Sequence, residues 1–191
     1  MNVYDFDGTI YSGDSSVSFY FFILKRHPSV LRVFPKQLWA MIMHKCGKIS
    51  LTEAKEAFFS FLPIISDISN ETKLFCERRK NKIMSWYKEK QKADDLIISA
   101  SPEFLLKGFC QNLGGVRLIA SEVDPENGKF LSENCKGEEK VKRFKKAYGN
   151  EKIEEFYSDS YSDLPMGQLA ERAYLVKNGR PCEWKLVKGE V

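Results

Sequence analysis

The spacing of apolar residues divides the 191-residue chain into three stretches. A very short apolar run, Asn2 to Tyr4, leads directly into Asp5-Phe6-Asp7-Gly8-Thr9 and predicts a strand with a polar tip. From residue 14 to residue 90 the pattern is helical. Asp14-Ser15-Ser16 forms an N-cap cluster before Val17 to Leu24, and Pro28 ends that helix. A second helix is expected from Val30 to Cys46, stopped by Gly47. Ser50-Leu51-Thr52-Glu53 then precedes Ala54, Ala57, Phe58, Phe61 and Leu62 at helical spacing, and a fourth helix is expected from Asp67 to Lys90.

Beyond residue 90 short apolar runs alternate with helical ones. Asp95 to Ser99 predicts a strand. Ser101-Pro102-Glu103 predicts a helix start, with the serine as N-cap and the proline in the first turn, and Gly114-Gly115 stops that helix. Val116 to Ser121 is the next strand, followed by a hairpin excursion over Glu122 to Glu133. A helix from Lys136 to Tyr148, a strand from Ile153 to Ser158, a short helix from Leu164 to Glu171 and a strand from Ala173 to Val176 complete the pattern. Such alternation predicts an α/β fold, a parallel sheet with helices on both faces. The helical block interrupts it after the first strand. The expected division is therefore a core of residues 1–13 and 91–191 and an all-helical cap of residues 14–90.

Composition narrows the function classes. Apolar residues at 43% and charged residues at 29% are the balance of an ordinary globular protein. The formal net charge of +4 suits anionic substrates but gives no nucleic-acid footprint, because the lysines are scattered; the densest run, Lys140 to Lys146, reads as one face of a helix. Five cysteines without a Cys-x-x-Cys pair, and only two histidines, argue against zinc and for reduced thiols in a cytoplasm. No signal peptide is evident, and a candidate catalytic residue at position 5 leaves little to remove. The apolar stretch from Val17 to Met43 is interrupted by Lys25, Arg26, His27, Pro28, Arg32 and Lys36, too often for a spanning helix. It has two readings: packing between cap helices, or peripheral membrane contact, with Phe, Trp39 and Met side chains inserting and lysines and arginines meeting lipid phosphates. The sequence gives no oligomeric state.

Candidate chemistry gathers at the strand tips, because ligands of an open parallel sheet bind beyond the carboxyl ends of its strands. Asp5 and Asp7 follow the first strand, Ser99 ends the second, and Asp159 and Asp163 follow the fourth. Four carboxylates in one crevice repel one another and call for a cation; oxygen ligands, with phosphate and water, suit Mg²⁺. Lys140 would neutralise further charge and contact phosphate. A carboxylate so shielded can attack phosphorus in line and form an acyl phosphate. Asp5, first on its strand tip, is the candidate nucleophile. Asp7 is the candidate acid and base, protonating the leaving oxygen and then deprotonating water. Gly8 would let the backbone turn close to phosphate, and Thr9 would fix Asp7 by a hydrogen bond. Asp14 is either a simple N-cap or a cap residue that enters the crevice.

In order and spacing these residues resemble the haloacid dehalogenase superfamily of phosphohydrolases, over nearly the whole chain. The family's first motif, Asp-x-Asp-x-Thr, appears as Asp5-Phe6-Asp7-Gly8-Thr9; its second, an apolar strand ending in a hydroxyl, as Leu96-Ile97-Ile98-Ser99; its lysine is assigned to Lys140 over Lys136 and Lys142; its acidic pair appears as Asp159 and Asp163, with Ser158 where many members have glycine. The resemblance implies a Rossmann-like core. It implies that Asp5 is nucleophile and Mg²⁺ ligand, that the backbone carbonyl of Asp7 and the carboxylate of Asp159 also bind the metal, and that Asp163 acts behind these ligands or through water. It further implies that Ser99 and the Ala100 amide bind phosphate.

A helical insertion just after the first motif resembles a type I cap, as in the phosphoserine-phosphatase-like branch, where an acidic residue near the place of Asp14 contacts a substrate amine. Asp14, the Leu24-to-Pro28 turn, Ile119-Ala120-Ser121-Glu122 and the Tyr157-to-Asp163 segment are also similar to bacterial phosphatidylglycerophosphatase C. The expected substrate is a small phosphomonoester, either phosphoserine-like or a phospholipid head-group phosphate. A phosphotransferase or mutase using the same intermediate, or a non-catalytic phospho-ligand binder, are the competing functions.

Overall fold

A computed structural model describes residues 1–185. Six strands form one sheet in the order β3-β2-β1-β4-β5-β6. These are β1 (Asn2–Tyr4), β2 (Leu96–Pro102), β3 (Arg117–Ser121), β4 (Ile153–Ser158), β5 (Ala170–Lys177) and β6 (Arg180–Glu183). The first five are parallel and β6 pairs antiparallel to β5. The shortest strand, β1, lies between β2 and β4, so Val3 and Tyr4 are held by ladders on both sides and Asn2 by β4. That accounts for how so short a strand can fix Asp5: the Asp5 amide also donates to the Tyr157 carbonyl at 2.8 Å.

Alternation along the inner strands feeds two apolar layers. Val3, Leu96, Ile98 and Phe156 point to one face and meet Phe144 and Met166 from α7 (Glu138–Tyr148) and α8 (Leu164–Leu169). Tyr4, Ile97 and Tyr157 point to the other and meet α5 (Ser85–Lys90) and α6 (Glu103–Asn112). Tyr4, Tyr157 and Tyr174 stand in register on adjacent strands. They stack with centroids 4.8 and 4.7 Å apart, each pair worth about 0.5–1.5 kcal/mol beyond burial.

Between β1 and β2 lie α1 (Ser15–Arg26), a 3-10 segment (Pro28–Val33), α2 (Phe34–Lys45), α3 (Leu51–Phe58), a second 3-10 segment (Phe59–Ile64), α4 (Ile68–Arg79) and α5. Their aromatic side chains join the sheet's own layer: Phe19 meets Phe75 at 5.2 Å, Phe75 meets Phe109 of α6 at 5.8 Å, and Phe109 meets Phe6 at 5.4 Å. The hairpin excursion after β3 closes on a Val123–Phe130 bridge and clasps α3, where the Phe130 amide and Lys129 both reach Glu56.

Several boundaries differ from expectation. The expected helix from Val30 to Cys46 breaks, because Pro35 sits in the first turn of α2 and cannot continue a helix from upstream. The expected helix from Asp67 to Lys90 ends at Arg79: Ile83 is buried and bridges Tyr11, while the Ser12 amide bonds Lys82 and the Met84 amide bonds Ile10. No local breaker marks that site; the tertiary bridge overrides helix propensity. Strand β2 continues through Ser101 to Pro102, so Ser101 is not an N-cap. Strand β6 was not anticipated, although Asn178-Gly179, both with positive φ, is a strong two-residue hairpin signal.

Candidate functional site

The carboxyl ends of β1, β2 and β4 open side by side into a cleft of about 510 Å³, closed on its far side by α1 and α3. Asp5, Asp7, Gly8, Asp14, Ser99, Ala100, Lys140, Asp159 and Asp163 all line it; Thr9 does not.

Its centre is a buried triad. Lys140 comes from the first turn of α7, whose packing against the sheet sends this one lysine inward while its neighbours Lys142, Lys145 and Lys146 stay exposed. Its Nζ donates to Asp5 Oδ1 at 2.6 Å and to Asp163 Oδ2 at 2.7 Å. Only 1% of Lys140 is exposed. Burial favours the neutral amine, but the two carboxylates outweigh it and hold the ammonium protonated. Burial pushes Asp5 up, Lys140 opposes that shift, and Asp163 reinforces it. Asp163 takes a second partner, the Ser158 hydroxyl, at 2.8 Å. Ser158 thus anchors the second acid.

Asp7 is held separately. Its Oδ1 accepts from the Ser15 amide at 2.6 Å and its Oδ2 from the Ser101 hydroxyl at 2.5 Å. Burial, helped by the nearby Asp14 charge, pushes its carboxyl up to about 6, against both hydrogen bonds. A carboxyl near 6 is populated in both forms close to neutrality, so it can both donate and accept a proton. The expected Thr9–Asp7 bond is absent: Thr9 is fully buried and its hydroxyl finds no partner among the described residues. Asp14 caps α1 through the Val17 amide at 2.9 Å and also lines the cleft, so both of its readings fit one position.

Gly8 has φ +70°, and a Cβ there would lie 2.0 Å from Asp159 Oδ2. Asp159 is exposed to the cleft and pressed against the loop that carries Asp5 and Asp7. Gly8→Ala is therefore expected to cost about 1–2 kcal/mol in backbone strain. By displacing Asp159 it should also lower turnover by about 10²-fold. Thermal melting and steady-state rates check this; unchanged turnover would show that the close approach is irrelevant.

No three His, Cys, Asp or Glu side chains form a closed metal cage among the described residues. The fit to Mg²⁺ is of another kind. The donors lining the cleft beside Gly8 are oxygens, two of them the carboxylates of Asp5 and Asp159, and this ion binds through one or two carboxylates while keeping its waters.

Two cleft residues escaped the sequence reading. Ser101, taken for an N-cap, bonds Asp7. Lys55 of α3 donates to the Ala100 carbonyl at 2.7 Å and to Asn134 Oδ1 at 2.9 Å, tying the helical insertion to the tip of β2. Burial pulls its ammonium down to about 8. The available signal was a lysine within an otherwise apolar stripe at helical spacing, Leu51-Lys55-Phe58.

Comparison with known proteins bears on the fold and the family. The chain is 26% identical to Protein CicA of Caulobacter vibrioides, over 94% of this chain and 87% of the relative. Among solved structures, a protein of unknown function from Bordetella pertussis Tohama I aligns with TM-score 0.75 at 17% identity, covering 92% of this chain and 88% of the other. A substrate-bound phosphoserine phosphatase aligns with TM-score 0.54 at 16% identity, covering 90% and 82%. These structural likenesses carry the fold. Residues 3–168 match the family model of haloacid dehalogenase-like hydrolases, a span that holds the Asp5–Lys140–Asp163 triad, Asp7 and Asp159 together, and the chain belongs to that family.

Proposed function

We propose that the chain is a Mg²⁺-dependent phosphomonoesterase working through an aspartyl-phosphate on Asp5. The observation that carries this reading is the buried Lys140, which bonds Asp5 by one carboxylate oxygen and leaves the other without a partner among the described residues, at the wall of the cleft. A pinned carboxylate beside a fixed cation is a nucleophile positioned for a phosphoryl group.

In the first step an Asp5 oxygen bonds to phosphorus and the ester oxygen leaves, taking the proton of neutral Asp7. In the second, the Asp7 carboxylate takes a proton from water, the water oxygen bonds to phosphorus, and the Asp5–phosphorus bond breaks to release phosphate. Lys140 balances charge on Asp5 and the phosphoryl oxygens. Ser99 and the Ala100 amide hold phosphate, and Gly8 gives the backbone its close approach. Asp5, Asp159 and the Asp7 carbonyl would hold Mg²⁺, which supplies charge neutralisation at the phosphoryl oxygens. Asp163 fixes Lys140. Ser15 and Ser101 aim Asp7.

Residues 14–90 act as the cap that meets the leaving group, and residues 1–13 with 91–191 as the catalytic core. Asp14 and Lys55 offer a carboxylate and an ammonium from the cap side. They suit a phosphoserine-like substrate or the head-group phosphate of a phospholipid. Five free cysteines accord with a cytoplasmic location.

A panel of phosphoserine, phosphatidylglycerophosphate, sugar phosphates and nucleotides should show phosphate release that chelation abolishes and Mg²⁺ restores. Release insensitive to chelation would overturn the metal's role. No release from any ester, by a chain shown to bind Mg²⁺, would overturn the hydrolase reading.

A further inference from the structure

The chain's charge is unevenly spread. Between Asp14 and Glu53 there are six lysines and arginines and no carboxylate residue, whereas the remainder carries 24 basic and 26 acidic residues. The whole positive balance therefore resides in α1, α2 and their connections. Of these six cations, only Arg26 has an ion-pair partner among the described residues, Glu71.

The same stretch is also the apolar surface. Nine of the thirteen large exposed apolar side chains among the described residues lie between Val17 and Leu51. On α2, Phe34, Leu38, Met41 and Ile42 recur at i, i+4, i+7 and i+8 and form one outward stripe, with Trp39 beside it at 58% exposure. The other side of the helix holds it to the molecule: Ala40 is buried, and Gln37 accepts from the Tyr20 hydroxyl at 3.0 Å and donates to the Phe58 carbonyl at 2.8 Å. The helix is thus fixed by its small and polar side and presents its apolar side outward. Val17 and Leu51, both exposed, bring the apolar surface to the cleft that they also line. No described helix is long and apolar enough to cross a membrane.

We propose that this face docks on an anionic lipid bilayer, the α2 stripe entering the interface while Lys25, Arg32, Lys36, Lys45 and Lys48 meet lipid phosphates. Charge selects this occupant. A second copy of the chain would set the same uncompensated cations against one another, whereas an anionic surface neutralises them. A stretch whose own charged residues are all basic also distinguishes this face from the mixed-charge remainder of the chain. Docking itself does not rest on the phosphatase reading. Only its consequence does: the cleft mouth would lie at the head-group level, open to a phosphate that remains attached to its lipid.

The test is flotation of the full chain with vesicles of phosphatidylcholine alone and of phosphatidylcholine mixed with phosphatidylglycerol. Binding is expected on the mixed vesicles, weakened by salt, and little on the zwitterionic ones. Trp39→Glu/Ile42→Glu and Lys36→Glu/Lys45→Glu should each lower the apparent affinity by at least about tenfold. Both should keep the parent's melting temperature and its rate on a water-soluble phosphate ester. Binding is read without turnover, so a chain inactive on every ester would still float if the proposal holds. Absence of binding, equal binding to both vesicles, or a dimer that Trp39→Glu/Ile42→Glu converts to monomer would overturn it.

Discussion

Replacing Asp5 with asparagine is expected to lower phosphate release by roughly 10³-fold or more. The change is nearly isosteric and leaves the backbone bond to Tyr157 in place, so the fold should survive it. What is lost is chemical. An amide oxygen is a poor nucleophile, and the neutral side chain cannot form the anionic half of the pair with Lys140. Lys140 retains Asp163 as counter-ion, which limits the damage to stability. Steady-state rates beside a thermal melt separate the two effects: the account requires a large fall in turnover with a small change in melting temperature. Substantial residual hydrolysis would move the nucleophile elsewhere.

Lys140→Met carries the largest expected effect on stability. The substitution preserves much of the volume of a side chain that is 1% exposed, but it leaves Asp5 and Asp163 facing each other without their shared cation. Removing one partner from such a buried pair costs roughly 3–5 kcal/mol. For a chain of this length that corresponds to a melting-temperature drop on the order of 10 °C. The figure applies without added divalent ions, which would supply the missing charge. A double-mutant cycle tests the cause. Lys140→Met/Asp163→Asn removes one of the two stranded carboxylates and should recover part of the loss, giving clearly non-additive energies. Additive losses would mean that Lys140 stabilises by packing alone.

Both predictions concern residues that the sequence brought into view, Asp5 because it sits at a strand tip. Asp5, Asp7, Ser99 and Asp159 follow short apolar runs whose alternation betrays a parallel sheet, and such a sheet gathers its tips at one edge. Lys140 was harder, since its helix carries several lysines; only packing of α7 on the sheet decides which one points inward. Ser101 was not legible, and Lys55 showed only as a lysine within an apolar stripe. The pattern Ser-Pro-Glu matches a helix start so well that a strand running through Ser101 leaves no local trace. Lys55 owes its place to the fold of α3 against β2, a contact between residues 45 positions apart. The break after Arg79 has the same origin, because Ile83 is claimed by Tyr11 across the molecule. Local chemistry wrote the elements and the acidic tips, whereas long-range pairing decided which polar groups hold them.

The central claim is that phosphate passes through Asp5. Rapid acid quenching during turnover, followed by peptide mapping with mass spectrometry, addresses it most directly. The account predicts one added phosphoryl group on the peptide that contains Asp5, labile to base as an acyl phosphate must be, and absent from Asp5→Asn. A phosphoryl group on another residue, or continued hydrolysis by Asp5→Asn with no modified peptide, would contradict it.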